Sequence, residues 1–403
     1  MRSLRHPEYR AHLSERFGRL PADLAARLAQ LPRRPVWMQA VSVGEVGVAR
    51  ALIQAAHGIP FVLSSTTPAG RDAAASLRLA DLIGVFHFPI DWSPFTRRTL
   101  DSVLPAAFVS VETEIWPGLM ARCARRGVAV AIVNGRLSAR SHDRYRRVRG
   151  LLRGALSSVR IACMQTADDA DRAASIGIPS DRIVVTGNMK FDMAASADRD
   201  GDVAASFGLP AGSKRPVLVA GSTSPGEEEQ ILDAVARMGL PDLLLILAPR
   251  HRERFDEVAG LLTSRGITFV RRSRMSGAPP VPRSVILLDT LGELAGAYAL
   301  ATVAFVGGSL VARGGQNMIE PAARGVPVLV GPHTQHFQSV VRDLLACGAA
   351  VRVHGAQDLA REARRFIDDP VARARAGEAG LALVTAHRGA TGRTLERVLP
   401  FLG

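Results

Sequence analysis

The sequence predicts an α/β protein made of two doubly wound, Rossmann-like units that face a central cleft. Three observations carry that expectation. At 403 residues the chain exceeds one ordinary core and suits two domains of roughly 150–200 residues each. Short runs rich in Val, Ile, Leu and Phe alternate with Ala/Arg/Leu stretches of helical pattern, as strands joined by crossover helices do. The alternation breaks once, at a polar stretch, and then restarts.

In the first half the strand candidates are Val36 to Val43, Phe61 to Ser64, Ile83 to Phe88, Ala107 to Val111, Val128 to Val133, Arg160 to Met164 and Arg182 to Thr186. Residues Ala194 to Arg215, rich in Asp, Ala, Gly, Ser and Pro, read as the linker. The second half offers Pro216 to Ala220, Leu243 to Leu247, Ile267 to Val270, Val285 to Leu288, Val303 to Val306 and Val326 to Val330, and from Ala360 onward the pattern is helical. The expected organisation is a first domain over 1–195, a linker over 196–215, a second domain over 216–380 and a helical segment over 381–403. Within the linker, Asp198-Arg199-Asp200-Gly201-Asp202 resembles a calcium loop in composition. It lacks the EF-hand spacing and the closing Glu, so it reads as solvated chain.

Composition bounds the function classes. Hydrophobic residues make up 47% and charged residues 22%, a globular balance. Cys123, Cys163 and Cys347 lie far apart with no CxxC pair, which suits a reducing cytosol rather than a disulfide framework or a zinc site. No run approaches the roughly 18 apolar residues of a membrane span, and the start Met-Arg-Ser-Leu-Arg has no apolar h-region. The net charge of +14 favours a polyanionic partner: nucleic acid, an anionic membrane face or a phosphorylated substrate. A general preference for arginine explains the charge as readily. Aromatics are only 5%, with no basic stretch interleaved with rings, which argues against single-stranded nucleic acid. Of the 51 basic residues only Lys190 and Lys214 are lysines. They mark positions where a compact ammonium serves rather than a planar fork.

Ligands of such folds bind at the carboxyl ends of the strands, so the strand-to-helix junctions matter most. Gln39-Ala-Val-Ser-Val-Gly-Glu45 runs from a strand into an apolar-periodic helix, with Gly44 for a tight turn and Glu45 at the helix start. On spacing alone Glu45 is either a base or a carboxylate that complements the helix dipole. Glu112-Thr-Glu114-Ile-Trp116-Pro117 follows another strand. If that strand continues, alternation puts Glu112 and Glu114 on one side as an acid/base or substrate-positioning set; otherwise they are a cap and an exposed Glu. Gly187-Asn188-Met-Lys190-Phe-Asp192 carries a lysine that either neutralises an anion or pairs with Asp192.

The second half has glycine turns suited to phosphate: Gly221-Ser222-Thr223-Ser-Pro225-Gly226-Glu227, with a helix from Pro225, and Gly307-Gly308-Ser309. Pro249-Arg250-His251 offers a fixed cation, and Gly314-Gly315-Gln316-Asn317-Met-Ile-Glu320 a carboxylate able to accept ribose hydroxyls. His333 and His336 read as metal ligands or as loop contacts. No GxGxxG follows the first strand and no GxxxxGK[ST] occurs, which excludes a standard Rossmann dehydrogenase or P-loop enzyme.

Taken together and in order, PEYRAHLSERFG, SVGE, SSTTPAGRD, ETEIWP, VNGRLSARS, VTGNMKFD, AGSTSPGEEE, APRHRERF, DTLGEL, FVGGSL and GGQNMIEPAARGVPVLVGPHTQHF resemble the 3-deoxy-D-manno-octulosonic acid (Kdo) transferases over nearly the whole chain. The resemblance implies the GT-B fold and inverting transfer of Kdo from CMP-Kdo to the lipid A precursor, lipid IVA, at the cytoplasmic face of the inner membrane. It makes the first domain acceptor-binding and the second CMP-sugar-binding. It implies Glu45 as base, with Glu112 and Lys190 as supporting charges. CMP contacts would fall on Pro249 and Arg250, on Leu291, Gly292 and Glu293, and on Asn317, Met318, Ile319 and Glu320. No metal or other cofactor is implied, nor any nucleic acid.

The sequence departs from the family pattern at Gly118, Gly135 and Gln316. It also lacks the hydrophobic anchor expected before PEYR, which leaves membrane contact to the basic, amphipathic N-terminal segment. The competing readings are another GT-B enzyme that uses a UDP-sugar, and a basic nucleotide-binding protein without catalysis.

Overall fold

A computed structural model describes residues 12–196, 206–209, 213–275 and 285–402. Residues 7–11 of the PEYR segment and the Asp198–Asp202 cluster lie outside the described residues. The chain divides into two compact units, Met1–Met193 with His387–Gly403, and Ala194–Ala386.

The first unit holds a seven-stranded sheet: β1 (Val36–Gln39), β2 (Phe61–Ser65), β3 (Leu82–His87), β4 (Ala107–Val111), β5 (Ala129–Gly135), β6 (Val159–Met164) and β7 (Ile183–Val185). Their order is β3-β2-β1-β4-β5-β6-β7 and every pairing is parallel, with Val36 in register with both Phe61 and Ala107. The strand order reverses between β1 and β4. A parallel sheet is covered by helices on both faces, which is why these strands are apolar throughout rather than alternating. Successive residues nonetheless serve different faces. Trp37 packs on one side with Phe86, Phe88 and Phe108, while Val36 and Met38 join Leu52, Leu63 and Val109 on the other. Trp37 is fully buried and its indole N–H donates to Ser64 Oγ at 2.8 Å. Truncating such a ring to Ala costs about 3–5 kcal/mol.

The second unit repeats the plan with β8 (Val217–Thr223), β9 (Leu244–Pro249), β10 (Phe269–Arg271), β11 (Val285–Leu287), β12 (Val303–Val306), β13 (Val328–Val330) and β14 (Ala350–Arg352). The order is β10-β11-β9-β8-β12-β13-β14, again all parallel, with the reversal between β8 and β12. Gly221, within β8, admits Tyr298: a Cβ there would come within 2.0 Å of the phenol oxygen.

Several expectations need correction. β1 ends at Gln39, and Val43 already belongs to the helix Val43–Ala55. The helix after β8 begins at Glu227 rather than Pro225, with Gly226 as its left-handed cap. β14, Ala-Val-Arg, has one β-branched residue and does not stand out by composition. The final residues are not a segment of their own. Residues 381–386 finish the helix Pro370–Ala386, and His387–Gly403 belongs to the first unit.

Asp192 finds its partners in this returning segment. Its carboxylate accepts the Gly389 N–H at 2.6 Å and the Thr391 N–H at 2.7 Å, capping the helix Ala390–Val398 from far away in sequence. Arg393 adds a bond to the Thr186 carbonyl at 3.0 Å, and Ala390, Val398 and Leu402 enter the core.

Asp192→Ala is expected to lower the stability of the first unit by about 1–2 kcal/mol, the worth of a helix cap. Urea unfolding followed by circular dichroism measures this; an unchanged midpoint would show that the returning helix does not depend on the cap.

Candidate active site

In a sheet whose strands all run one way, every strand-to-helix loop emerges at the same edge, and ligands collect where the strand order reverses. In the first unit that point lies between β1 and β4, whose loops carry Glu45 and Glu112.

Glu45 is the third residue of its helix and only 7% exposed. Ser42, in extended conformation, is the N-cap. Its hydroxyl donates to Glu45 Oε1 at 2.9 Å while accepting the Glu45 N–H at 3.4 Å, and the Val41 N–H donates to Oε2 at 2.7 Å. SVGE is thus a variant capping box. Gly44 makes no tight turn: it sits in the helix without positive φ, and a Cβ there would meet nothing nearer than Ser42 Oγ at 3.9 Å. The turn is held from the next junction. Ser65 and Thr67 hydroxyls donate to the Val41 carbonyl at 3.1 and 2.7 Å, and Gly70 leaves room for them.

Capping alone would keep a carboxyl acidic. Burial, followed by the charge of Glu112, instead raises the Glu45 pKa to about 7; the Val41 and Ser42 bonds pull the other way and Glu114 adds to the rise.

β4 stops at Val111, and Glu112 turns the chain with φ 56°. Glu112 and Glu114 are therefore not on one continuing strand. Glu112 Oε1 accepts from Lys190 Nζ at 2.7 Å, and Arg136 stands 4.0 Å from Oε2. Lys190 is set in place from β5: Asn134, fully buried with φ 53°, accepts the Met189 N–H at 3.0 Å, and Asn188 accepts the Lys190 N–H at 3.0 Å. Arg136 and Asn134 were legible only as parts of the VNGRLSARS motif, with no role attached. Glu114 has its pKa raised by burial and by Glu112, against Arg144. Beside these carboxylates, Thr113 Oγ1 and Trp116 Nε1 are buried with no hydrogen-bond partner among the described residues. Leaving such groups unpaired costs about 1–3 kcal/mol each unless a ligand meets them.

The other candidates gather at the carboxyl edge of the second sheet. Pro249 ends β9 and Arg250 is exposed beyond it. Leu291, 66% exposed, and Gly292 precede Glu293, which Arg272 holds at 2.6 Å and Thr290 bonds from the other side. Asn317 Nδ2 donates to Glu320 Oε1 at 3.0 Å and its Oδ1 accepts the Ile319 N–H. Burial raises the Glu320 pKa, with Asn317, Arg324 and Arg250 opposing, so Arg250 lies within electrostatic reach of Glu320. The helix Leu294–Ala299 packs on the helix Ile319–Ala322, which draws the third segment in. Met318 and Ile319 are fully buried, leaving only their backbone for a ligand.

The glycine turns are not open phosphate cradles. Glu227 accepts the N–H groups of Ser224, Gly308, Ser309 and Leu310 at 2.6–2.9 Å, filling the nest with the chain's own carboxylate. Glu228, equally buried, takes a two-pronged bond from Arg254 at 2.6 and 3.2 Å. His336 is a loop contact whose ring packs on Gly314 and whose N–H donates to the Gly314 carbonyl. Among the described residues no group of three or more His, Cys, Asp or Glu is placed to hold a metal ion.

Two parallel seven-stranded sheets with such edges define the GT-B class of glycosyltransferases and sugar-nucleotide epimerases. The solved UDP-GlcNAc 2-epimerase from Neisseria meningitidis matches with a TM-score of 0.60 over 91% of this chain and 100% of that one, at 13% identity, a likeness of fold alone. The family model for 3-deoxy-D-manno-octulosonic-acid transferase (kdotransferase) matches residues 11–193. The 3-deoxy-D-manno-octulosonic acid transferase of Bordetella pertussis is 38% identical over 96% of this chain and 91% of that protein. That of Haemophilus influenzae is 32% identical over 99% and 93%. The chain belongs to the 3-deoxy-D-manno-octulosonic acid transferase family and is a glycosyltransferase.

Carboxyl-carbon NMR should find Glu45 titrating near pH 7, and Glu112→Gln should move that titration to lower pH by removing a like charge. The folded protein keeps a proton on Glu45 that the unfolded chain loses near pH 4.5. This group's contribution to stability therefore falls as pH rises from about 4.5 to about 7. An unshifted Glu45 in the variant would contradict the coupling.

Proposed function

We propose that this chain moves Kdo from CMP-Kdo to the lipid A precursor, lipid IVA, by a single inverting displacement with Glu45 as the base. The observation that carries the reading is a buried carboxyl with its pKa near 7, fixed at the reversal point of the first sheet. A base is most effective when its pKa lies near the working pH.

The acceptor hydroxyl oxygen attacks the anomeric carbon of Kdo. The bond from that carbon to the phosphate oxygen breaks, its electron pair leaves on CMP, and the hydroxyl proton passes to Glu45. Glu112 keeps Glu45 basic, and Lys190 holds Glu112 in place. Thr113 and Trp116 offer unspent donors to acceptor or sugar hydroxyls.

On the donor side, Arg250 meets the single phosphate, since Glu227 occupies the neighbouring turn. Glu320 accepts ribose hydroxyls, and Pro249, Leu291–Glu293 and the backbone of Asn317–Ile319 frame the nucleotide. Arg250 is the cation assigned to the one leaving phosphate, and the reading gives no role to a metal.

The acceptor is an anionic lipid, and the site of action is the cytoplasmic face of the inner membrane. No helix among the described residues is long and apolar enough to cross a membrane. What supports peripheral contact is an exposed apolar pair, Ile90 at 50% and Trp92 at 60%, on the loop after β3. Asp91 between them bonds the Gly118 and Leu119 N–H groups at 2.9 and 2.7 Å, tying this loop to the ETEIWP helix. A Cβ at Gly118 would come within 2.6 Å of that carboxylate, which accounts for one departure from the family pattern. Arg97 and Arg98 are exposed nearby on the helix Ser93–Val103, and cations there add about 1 kcal/mol each at an anionic leaflet.

Incubation with CMP-Kdo and lipid IVA should yield a Kdo-bearing lipid and CMP; turnover of a UDP-sugar in its place would overturn the assignment. Glu45→Ala should lower turnover by about 10²–10⁴-fold while calorimetry shows CMP binding retained. Trp92→Ala should weaken sedimentation with phosphatidylglycerol vesicles without altering CMP binding; equal sedimentation would remove this loop from the membrane contact.

A further inference from the structure

The donor residues occupy the carboxyl edge of the second sheet. Its amino edge holds a cavity of about 800 Å³, walled by the segments that enter β8, β12 and β13 and by the start of the helix Pro370–Ala386. Its charged lining side chains are Lys214, Arg215, Arg324 and Arg373, with no Asp or Glu among the described lining residues.

Each guanidinium is fixed by main-chain oxygens. Arg324 donates to the Glu320 carbonyl at 2.9 Å, Arg373 to the Phe366 and Ile367 carbonyls at 2.9 and 3.3 Å, and Arg215 to the Asp242 carbonyl at 2.8 Å. A carbonyl orients a guanidinium without neutralising it, and a guanidinium has five N–H donors. Burial pulls the Arg324 and Arg215 pKa values down, with Glu320 and Asp242 opposing. At Arg324 positive charge is therefore held partly desolvated and is only partly compensated. Lys214 is the second of the chain's two lysines. Lys190 pairs with Glu112, whereas Lys214 is exposed at this cavity.

We propose that this cavity is a binding site for a phosphate-bearing anion, separate from the donor site, with Lys214, Arg324 and Arg373 as its cations. Planar forks and a compact ammonium together match the oxygens of a phosphate or diphosphate, and the volume admits a phosphoryl group with its substituent. A soluble phosphoryl compound and a phosphorylated lipid headgroup share this chemistry.

The test is calorimetric titration of the full chain with inorganic pyrophosphate at low salt. We expect saturable binding that weakens about 10-fold or more in Lys214→Glu/Arg373→Glu and survives Arg250→Ala, which lies at the opposite edge. Lys214→Gln with Arg373→Gln provides a milder pair, and circular dichroism melting checks that each variant folds. Phosphatidylglycerol vesicle sedimentation separates the sources. Loss of sedimentation in the charge-reversed variant, with pyrophosphate competing in the wild type, assigns a lipid headgroup; unchanged sedimentation assigns a soluble ligand. No binding by the wild type, equal binding by the charge-reversed variant, or loss only in Arg250→Ala would overturn the proposal. None of these readouts depends on transferase activity, so they stand apart from the assignment of CMP-Kdo.

Discussion

Glu45 is buried beside Glu112 and Glu114, and carboxyl groups cannot be crowded in this way without moving their protonation equilibria. The rest of the first unit's site follows from that constraint. Glu112 is held by Lys190, so its charge stays where it acts on Glu45. Lys190 is set by Asn134 and Asn188 acting on the backbone around it. The helix that begins at Lys190 is tied through Asp192 to the last helix of the chain. A base near neutrality thus depends on a chain of contacts running from β5 to the C-terminus. Each link is a hydrogen bond or ion pair at ordinary distance, and two members, Glu112 and Asn134, hold left-handed backbone to make it.

The second unit treats its buried carboxylates differently. Glu227 lies in four backbone N–H groups, and Glu228 faces Arg254 with Thr223 donating at 2.7 Å. Both are held by donors: burial raises the Glu227 pKa and the four N–H groups oppose it, while Arg254 bridges Glu228 and Glu257. Glu227 joins the loops after β8 and β12, where the strand order reverses, and Glu228 joins β8 to the segment after β9, so together they hold the frame that carries Arg250 and Glu320. The same residue type thus serves framework in one unit and chemistry in the other, according to what surrounds it.

Much of this was legible in the sequence. Apolar runs bounded by glycine and polar turns located thirteen of the fourteen strands among the described residues, because a strand buried on both faces has few alternatives in composition. Ala350–Arg352 escaped, since Ala-Val-Arg holds a single β-branched residue, whereas the other three-residue strands are mostly β-branched, aromatic or Leu. Glu45 could be placed at a helix start, yet its spacing fits a capping box as well as a base, and the structure shows the capping contacts and the raised pKa together. What spacing could not reveal were partners distant along the chain. Lys190 reaches Glu112 rather than Asp192, and Glu227 fills the turn read as a phosphate cradle. Long-range pairing follows from the order of strands across a sheet, which local pattern does not encode.

The central claim is that Glu45 acts as a base whose pKa is raised by burial and by the charge of Glu112, which pairs with Lys190. The pH dependence of kcat/KM for Kdo transfer tests it most directly, compared between the wild type and Lys190→Met. The account predicts a rising limb with an apparent pKa near 7 that moves to higher pH in the variant, where Glu112 has lost its ammonium. A wild-type profile flat through neutrality, or a limb that stays in place when the ammonium is removed, would contradict it.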